Sequence, residues 1–108
     1  MSRVEIIHDP LGNRIVLSRA ILHGHIYRRH PELRKKEQEI IRAIVEPDCI
    51  AKSKKDSRSL LYFRQTKFPF FLMVVATPNM HGLTVRTAFF VFNMSKGDPI
   101  IWRKKIST

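Results

Sequence analysis

Cysteine is almost missing from this chain. Its one copy, Cys49, has no partner with which to close a disulfide, so stability must come from an ordinary hydrophobic core. Acidic residues are scarce as well: 9 Asp and Glu stand against 20 Lys and Arg. Long apolar runs are lacking too. The longest, Phe68 to Ala76, is interrupted by Pro69 and covers about half of the roughly 20 residues a membrane helix needs, so no transmembrane segment is expected. No internal repeat, low-complexity tract or linker divides the 108 residues, and a single domain over residues 1–108 is the reading. No charged-then-apolar leader opens the sequence, which together with the lone cysteine predicts a reducing, cytoplasmic setting.

What is present in excess is positive charge and enough apolar material to fold. Hydrophobic residues make up 44% of the chain, sufficient to offset the ordering entropy that keeps polar chains unfolded. A net charge of +11 repels itself in a compact state, whereas phosphates neutralised by Lys and Arg release counterions, so a polyanion is the expected partner. The basic residues are spread over the whole chain and are not ranged along one amphipathic helix. That favours RNA or DNA over a membrane surface.

The periodicity changes along the sequence. Val4 to Ile7 and Arg14 to Leu17 are short β-prone runs separated by Asp9, Pro10, Gly12 and Asn13, and read as a hairpin. Ser18 then stands as an N-cap before Ile21, Leu22 and Ile26, which predicts a short helix ending near Arg29. Pro31 suits the first position of a second helix and Glu32 its positive end. Leu33, Ile40, Ile41, Ile44 and Val45 form its apolar stripe, giving about four turns that stop before Pro47. From Asp48 on the period is two. Cys49 to Ala51, Arg58 to Arg64, Phe70 to Thr77, Thr84 to Phe92 and Ile100 to Arg103 are strand candidates, separated by turns at Lys54 to Ser57, Thr66 to Pro69, Pro78 to Gly82 and Lys96 to Pro99. Short connections favour antiparallel neighbours. The expected fold class is therefore α+β: an N-terminal β-hairpin and two helices packed on a four- to five-stranded antiparallel sheet.

Alternation along Arg58 to Arg64 groups Arg58, Leu60, Tyr62 and Arg64 on one side and Leu61 and Phe63 on the other. Two guanidiniums flanking a phenol suit a phosphate and a stacked base, although a solvated sheet face gives the same pattern. On Thr84 to Phe92 the parity puts Thr84, Arg86, Ala88 and Phe90 together and Val85, Thr87 and Phe89 opposite. Thr87 is the one polar member of its apolar set, and strand propensity alone would account for it. His23, His25 and His30 lie close in sequence, while His8 and His81 are distant. None shows the four-residue spacing of a helical zinc motif, so no metal and no cofactor are expected. The imidazole side chain, which ordinarily titrates near pH 6.5, makes His25 or His30 a candidate proton carrier in RNA cleavage. The competing account has His30 capping the second helix and His25 half-buried.

The order of His25-Ile26, His30-Pro31-Glu32, Pro47-Asp48, Leu61-Tyr62, Leu72-Met73-Val74-Val75, Thr87-Ala88-Phe89, Gly97 and Trp102, opened by the Asp9-Pro10-Leu11-Gly12 turn, resembles the phage-associated branch of the barnase–EndoU–colicin–RelE-like nucleases. The similarity runs over nearly the whole chain. His23 departs from it, since relatives tend to carry a tryptophan before the His-Ile pair. The resemblance implies an N-terminal helical part against a four- or five-stranded antiparallel sheet, and a metal-independent RNA endonuclease of toxin or effector type. The matching polar residues are His25, His30, Glu32, Tyr62 and Thr87.

Together these readings predict a ribonuclease in which His25, His30, Arg64 and Thr87 are the catalytic set and Arg58, Tyr62, Arg86 and Glu32 bind substrate. RNA is the expected partner, with an acidic antitoxin or immunity protein as a second, and the chain is expected to be a monomer or weak dimer. Two alternatives come from other classes. One is a non-catalytic RNA- or DNA-binding module on the same scaffold, and the other a structural or regulatory phage protein that docks an acidic partner.

Overall fold

The computed structural model describes residues 4–67, 69–80, 82–92 and 98–105. His81, Gly97 and parts of the expected turns at Thr66 to Pro69, Pro78 to Gly82 and Lys96 to Pro99 lie outside them. Strand β1 (Val4–His8) turns back into β2 (Arg14–Ser18) through a tight loop. Asp9 builds that loop: its Oδ1 accepts the Leu11 and Asn13 amides at 2.9 and 2.8 Å, and Gly12, at φ 90°, supplies a backbone conformation that a side chain would strain.

Ser18 caps the next helix as expected, its hydroxyl accepting the Ile21 amide at 3.1 Å. The helix is not uniform. α1 (Arg19–Ile21) widens into a π-helical turn at Leu22–Ile26 before closing again as α2 (Tyr27–Arg29). The expected four-turn second helix is also broken. Pro31–Leu33 form a 3₁₀ turn, Lys35 adopts φ 66°, and the α-helix proper, α3, covers only Glu37–Val45. A left-handed residue cannot continue a right-handed helix, so the run of basic residues at 34–36 ends one element and starts another.

Strands β3 (Cys49–Lys52), β4 (Leu60–Gln65), β5 (Phe71–Asn79) and β6 (Gly82–Val91) follow as an antiparallel meander, and β7 (Ile100–Arg103) returns to pair with β3. Among the described residues the sheet has seven strands in the order β1-β2-β6-β5-β4-β3-β7, more than the four or five expected. The difference lies in the hairpin, which is part of the sheet because β2 pairs in parallel with β6 at Ile15↔Leu83 and Val16↔Thr84. The sheet is mixed, and the α+β class holds.

The helices cover one face. Leu22, Ile26, Leu33, Ile40 and Ile44 are fully buried against Tyr62, Leu72, Val74, Val85 and Ala88, which removes several large side chains from water at once. Val45, expected in the stripe, is instead 43% exposed at the end of α3. On the opposite face a smaller cluster forms around Cys49, Ala51, Leu61 and Phe63. Among the described residues no helix is long and apolar enough to cross a membrane.

Candidate functional site

The opposite face carries a cleft of about 520 Å³. Its floor is the outward side of β4 to β6, with Leu61, Met73, Val75, Thr87 and Phe89. One wall is the β3–β4 loop. Asp56 holds that loop in shape by accepting the Arg58 amide at 3.0 Å and the Ser59 hydroxyl at 3.1 Å, and Ser53 donates its amide to the Ser59 carbonyl at 3.0 Å. The backbone bond from Arg58, more than any other influence, holds the Asp56 carboxyl below its ordinary range, so the loop carries a fixed negative charge beside Lys55. The other wall is the segment bearing His25, Arg29 and His30.

That segment reaches the cleft because of where β2 stops. Parallel pairing ends at Val16↔Thr84, and from Val85 onward that edge of β6 has no strand beside it among the described residues. The helical residues lie there instead. On a regular α-helix, side chains five positions apart are turned away from one another by about 140°. The π-turn at Leu22–Ile26 delays the winding, and His30 leaves the helix at φ −132°, ψ 74°, so His25 and His30 face the same cleft. The His30 ring stacks on Phe89 with centroids 5.3 Å apart, and its Nδ1 lies 3.5 Å from a carboxylate oxygen of Glu32. It makes no capping hydrogen bond to the helix that follows.

A β-bulge supplies the remaining polar groups. Val75 pairs with Thr87 and Ala76 with Val85, which leaves Arg86 as the extra residue on its strand. The alternation expected on this strand is thereby broken: Val85 and Ala88 both point into the helix-covered core, while Arg86 and Thr87 both line the cleft.

Of the residues singled out in the sequence, His25, His30, Arg86 and Thr87 meet here. Glu32 borders the cleft only through His30. The other three are elsewhere. Tyr62 is fully buried on the helix-covered face, so its ring offers nothing for a base to stack on, and it is a core residue and not a substrate-binding one. Its hydroxyl donates to Asp9 Oδ2 at 2.5 Å, and burial, followed by that bond, pushes the phenol well above the usual tyrosine range. Arg58 precedes β4, is 78% exposed and pairs with Asp56 at 3.5 Å. Arg64 lies at the far end of β4, where its guanidinium donates to the Glu46 carbonyl at 2.5 Å and lines a separate groove on the helix side. The alternation correctly groups Leu60 with Tyr62, but it cannot say that this is the side the helices cover.

Three charged cleft residues were not marked by the sequence. Arg29 adjoins His30 in a basic run, and Lys55 and Asp56 sit in a polar turn that nothing local ties to the histidines. Guanidiniums, an ammonium and two imidazoles around a half-apolar floor can hold a phosphodiester and exchange protons with it. Among the described residues, no three His, Cys, Asp or Glu side chains come together as metal donors. Compared with protein-family models, curated proteins and solved structures, the chain matches none.

Proposed function

We propose that this protein is a metal-independent RNA endonuclease acting in the outer-face cleft. The observation that carries the reading is the convergence of His25, His30, Arg29, Arg86 and Thr87, from two distant parts of the chain, on one concave site of a protein with a net charge of +11. In the proposed reaction the 2′-hydroxyl of the substrate gives its proton to one imidazole and its oxygen bonds to the adjacent phosphorus. The bond from phosphorus to the 5′-oxygen breaks, and the second imidazole protonates that leaving oxygen. The products are a 2′,3′-cyclic phosphate and a 5′-hydroxyl. Arg29 and Arg86 present planar forks to the phosphoryl oxygens as negative charge builds on them, and Thr87 adds a hydroxyl from the floor. Stacking on Phe89 and the approach of Glu32 to Nδ1 fix the ring plane of His30, as proton transfer requires.

Incubation of the purified protein with mixed RNA in EDTA tests this. Fragments ending in cyclic or 3′-phosphate are expected, and intact RNA would leave the cleft as a binding site only. That second outcome is the non-catalytic RNA-binding module, which the same basic cleft also supports.

A further inference from the structure

The helix-covered face is not covered throughout. Beyond the reach of α3, Phe70 and Phe92 stand 38% and 64% exposed, their rings in contact at a centroid distance of 4.7 Å. Beside them runs a groove of about 550 Å³, within the range of small-molecule and nucleotide sites, with Phe90 at its base and the ammonium of Lys36 5.5 Å above that ring. Lys36, Arg42, Arg64 and Lys67 line it. Glu39 and Glu46 compensate part of this charge, but each lies 3.9 Å from its partners, and Lys67 has no carboxylate partner among the described residues. Exposed aromatic rings cost solubility unless something uses them. Flanked by cations, such rings are what a single-stranded nucleic acid engages, with bases on the ring faces and phosphates on the charges.

We propose that this aromatic and basic patch is a second subsite for single-stranded RNA, in which a base flanking the cut stacks on Phe92 and Phe70 and its phosphate is held by Arg64 and Lys67. The proposal rests on the reading of the chain as an RNA-binding protein and extends it to a second face. Phe89 and Phe90 are consecutive on β6, one in the cleft and one in the groove. His30 lines the cleft and Lys36 the groove, so the short connection between them runs from one site to the other, and the RNA strand would follow it to the patch.

The test is equilibrium binding of a fluorescent 2′-O-methyl RNA decamer, which has no free 2′-hydroxyl and so reads binding alone. Measured well below each variant's thermal midpoint, Phe92→Ala and Phe70→Ala are each expected to weaken binding about fivefold or more, while Phe92→Trp keeps it, because stacking needs a ring. Lys67→Ala is expected to reduce the log–log salt slope by about 0.7. Wild-type affinity in both alanine variants overturns the proposal, as does equal loss in Phe92→Trp and Phe92→Ala. A glutamate-rich peptide that binds more tightly than the decamer, and loses affinity in Phe92→Ala, would assign the patch to a protein partner and also overturn it. RNA cleavage with unaffected decamer binding in these variants would sink this subsite and spare the cleft. The reverse result would sink cleavage alone.

Discussion

Tyr62→Phe removes one atom from the core and separates two roles for that residue. The ring stays, so little apolar contact is lost, but Asp9 Oδ2 loses a 2.5 Å donor and keeps only the Asn13 side-chain amide at 2.9 Å. Asp9 is 6% exposed, so water cannot readily replace the hydroxyl. A hydrogen bond to a charged group contributes about 1.5–3 kcal/mol net, and a buried acceptor left short of partners falls at the upper end of that range. Set against a total of about 5–15 kcal/mol for a domain, this is a large fraction of stability. For a chain of this size it corresponds to a fall in Tm on the order of 10 °C. Urea unfolding followed by circular dichroism should show a lower midpoint at unchanged m-value, while RNA affinity measured well below the new Tm stays at the wild-type level. A change under about 0.5 kcal/mol would refute the buried Tyr62–Asp9 bond as an anchor of the hairpin. Lost RNA affinity at unchanged stability would return Tyr62 to the substrate.

The same residue predicts an alkaline signature. Its folded pKa is raised above the ordinary value of 10.0, so its contribution is complete below about pH 10 and is lost as pH climbs above that; the stability gap between wild type and Tyr62→Phe should therefore shrink in strong alkali. His25→Ala and His30→Ala are expected to lower turnover about a hundredfold or more with RNA binding near wild type, and the wild-type pH–rate profile should be bell-shaped; wild-type rates in both variants would make the histidines structural and move attention to Glu32. Arg86→Lys is expected to impair cleavage nearly as much as Arg86→Ala, because an ammonium cannot reproduce a bidentate fork, and full activity in the lysine variant would remove Arg86 from the phosphate. RNA affinity should fall steeply with salt, with a log–log slope near −3.5 for about five phosphate contacts on a single strand, and a flat dependence would remove the nucleic-acid reading.

Local pattern was legible in this chain, and long-range pairing was not. The hairpin, the Ser18 cap and the five later strands follow from turn residues and alternation, and their positions shift by only a few residues in the structure. Three features left no local trace. Parallel pairing of β2 with β6 joins Val16 to Thr84 across most of the chain, and no pattern in either strand states it. The bulge at Arg86 breaks a parity that the sequence alone would continue. Lys35 at φ 66° interrupts an apolar stripe that would otherwise run on as one helix. Tyr62 shows the same limit on the functional side, since arginines at both ends of its strand suggest a substrate face, whereas the helices decide which side is buried. His25 and His30 were visible as chemistry, but their meeting with Arg86 and Thr87 depends on the π-turn and the bulge together.

The unfinished pairing of β6 connects these features. A strand edge left open from Val85 would invite another chain, and proteins commonly block such edges with a helix or a loop. Here the blocking element is the short, irregular helix at residues 19–29, braced at its start by an ion pair between Arg19 and Glu37 of α3. Because that helix packs beside β6, its inner side chains Leu22 and Ile26 fill the core of the helix-covered face while His25, Arg29 and His30 overlook the opposite face. One element thus closes the sheet and supplies the imidazoles. If the pairing with β2 continued past Thr84, strand backbone would take the place of the histidines, and the cleft would keep its floor and its bulge but lose its imidazoles.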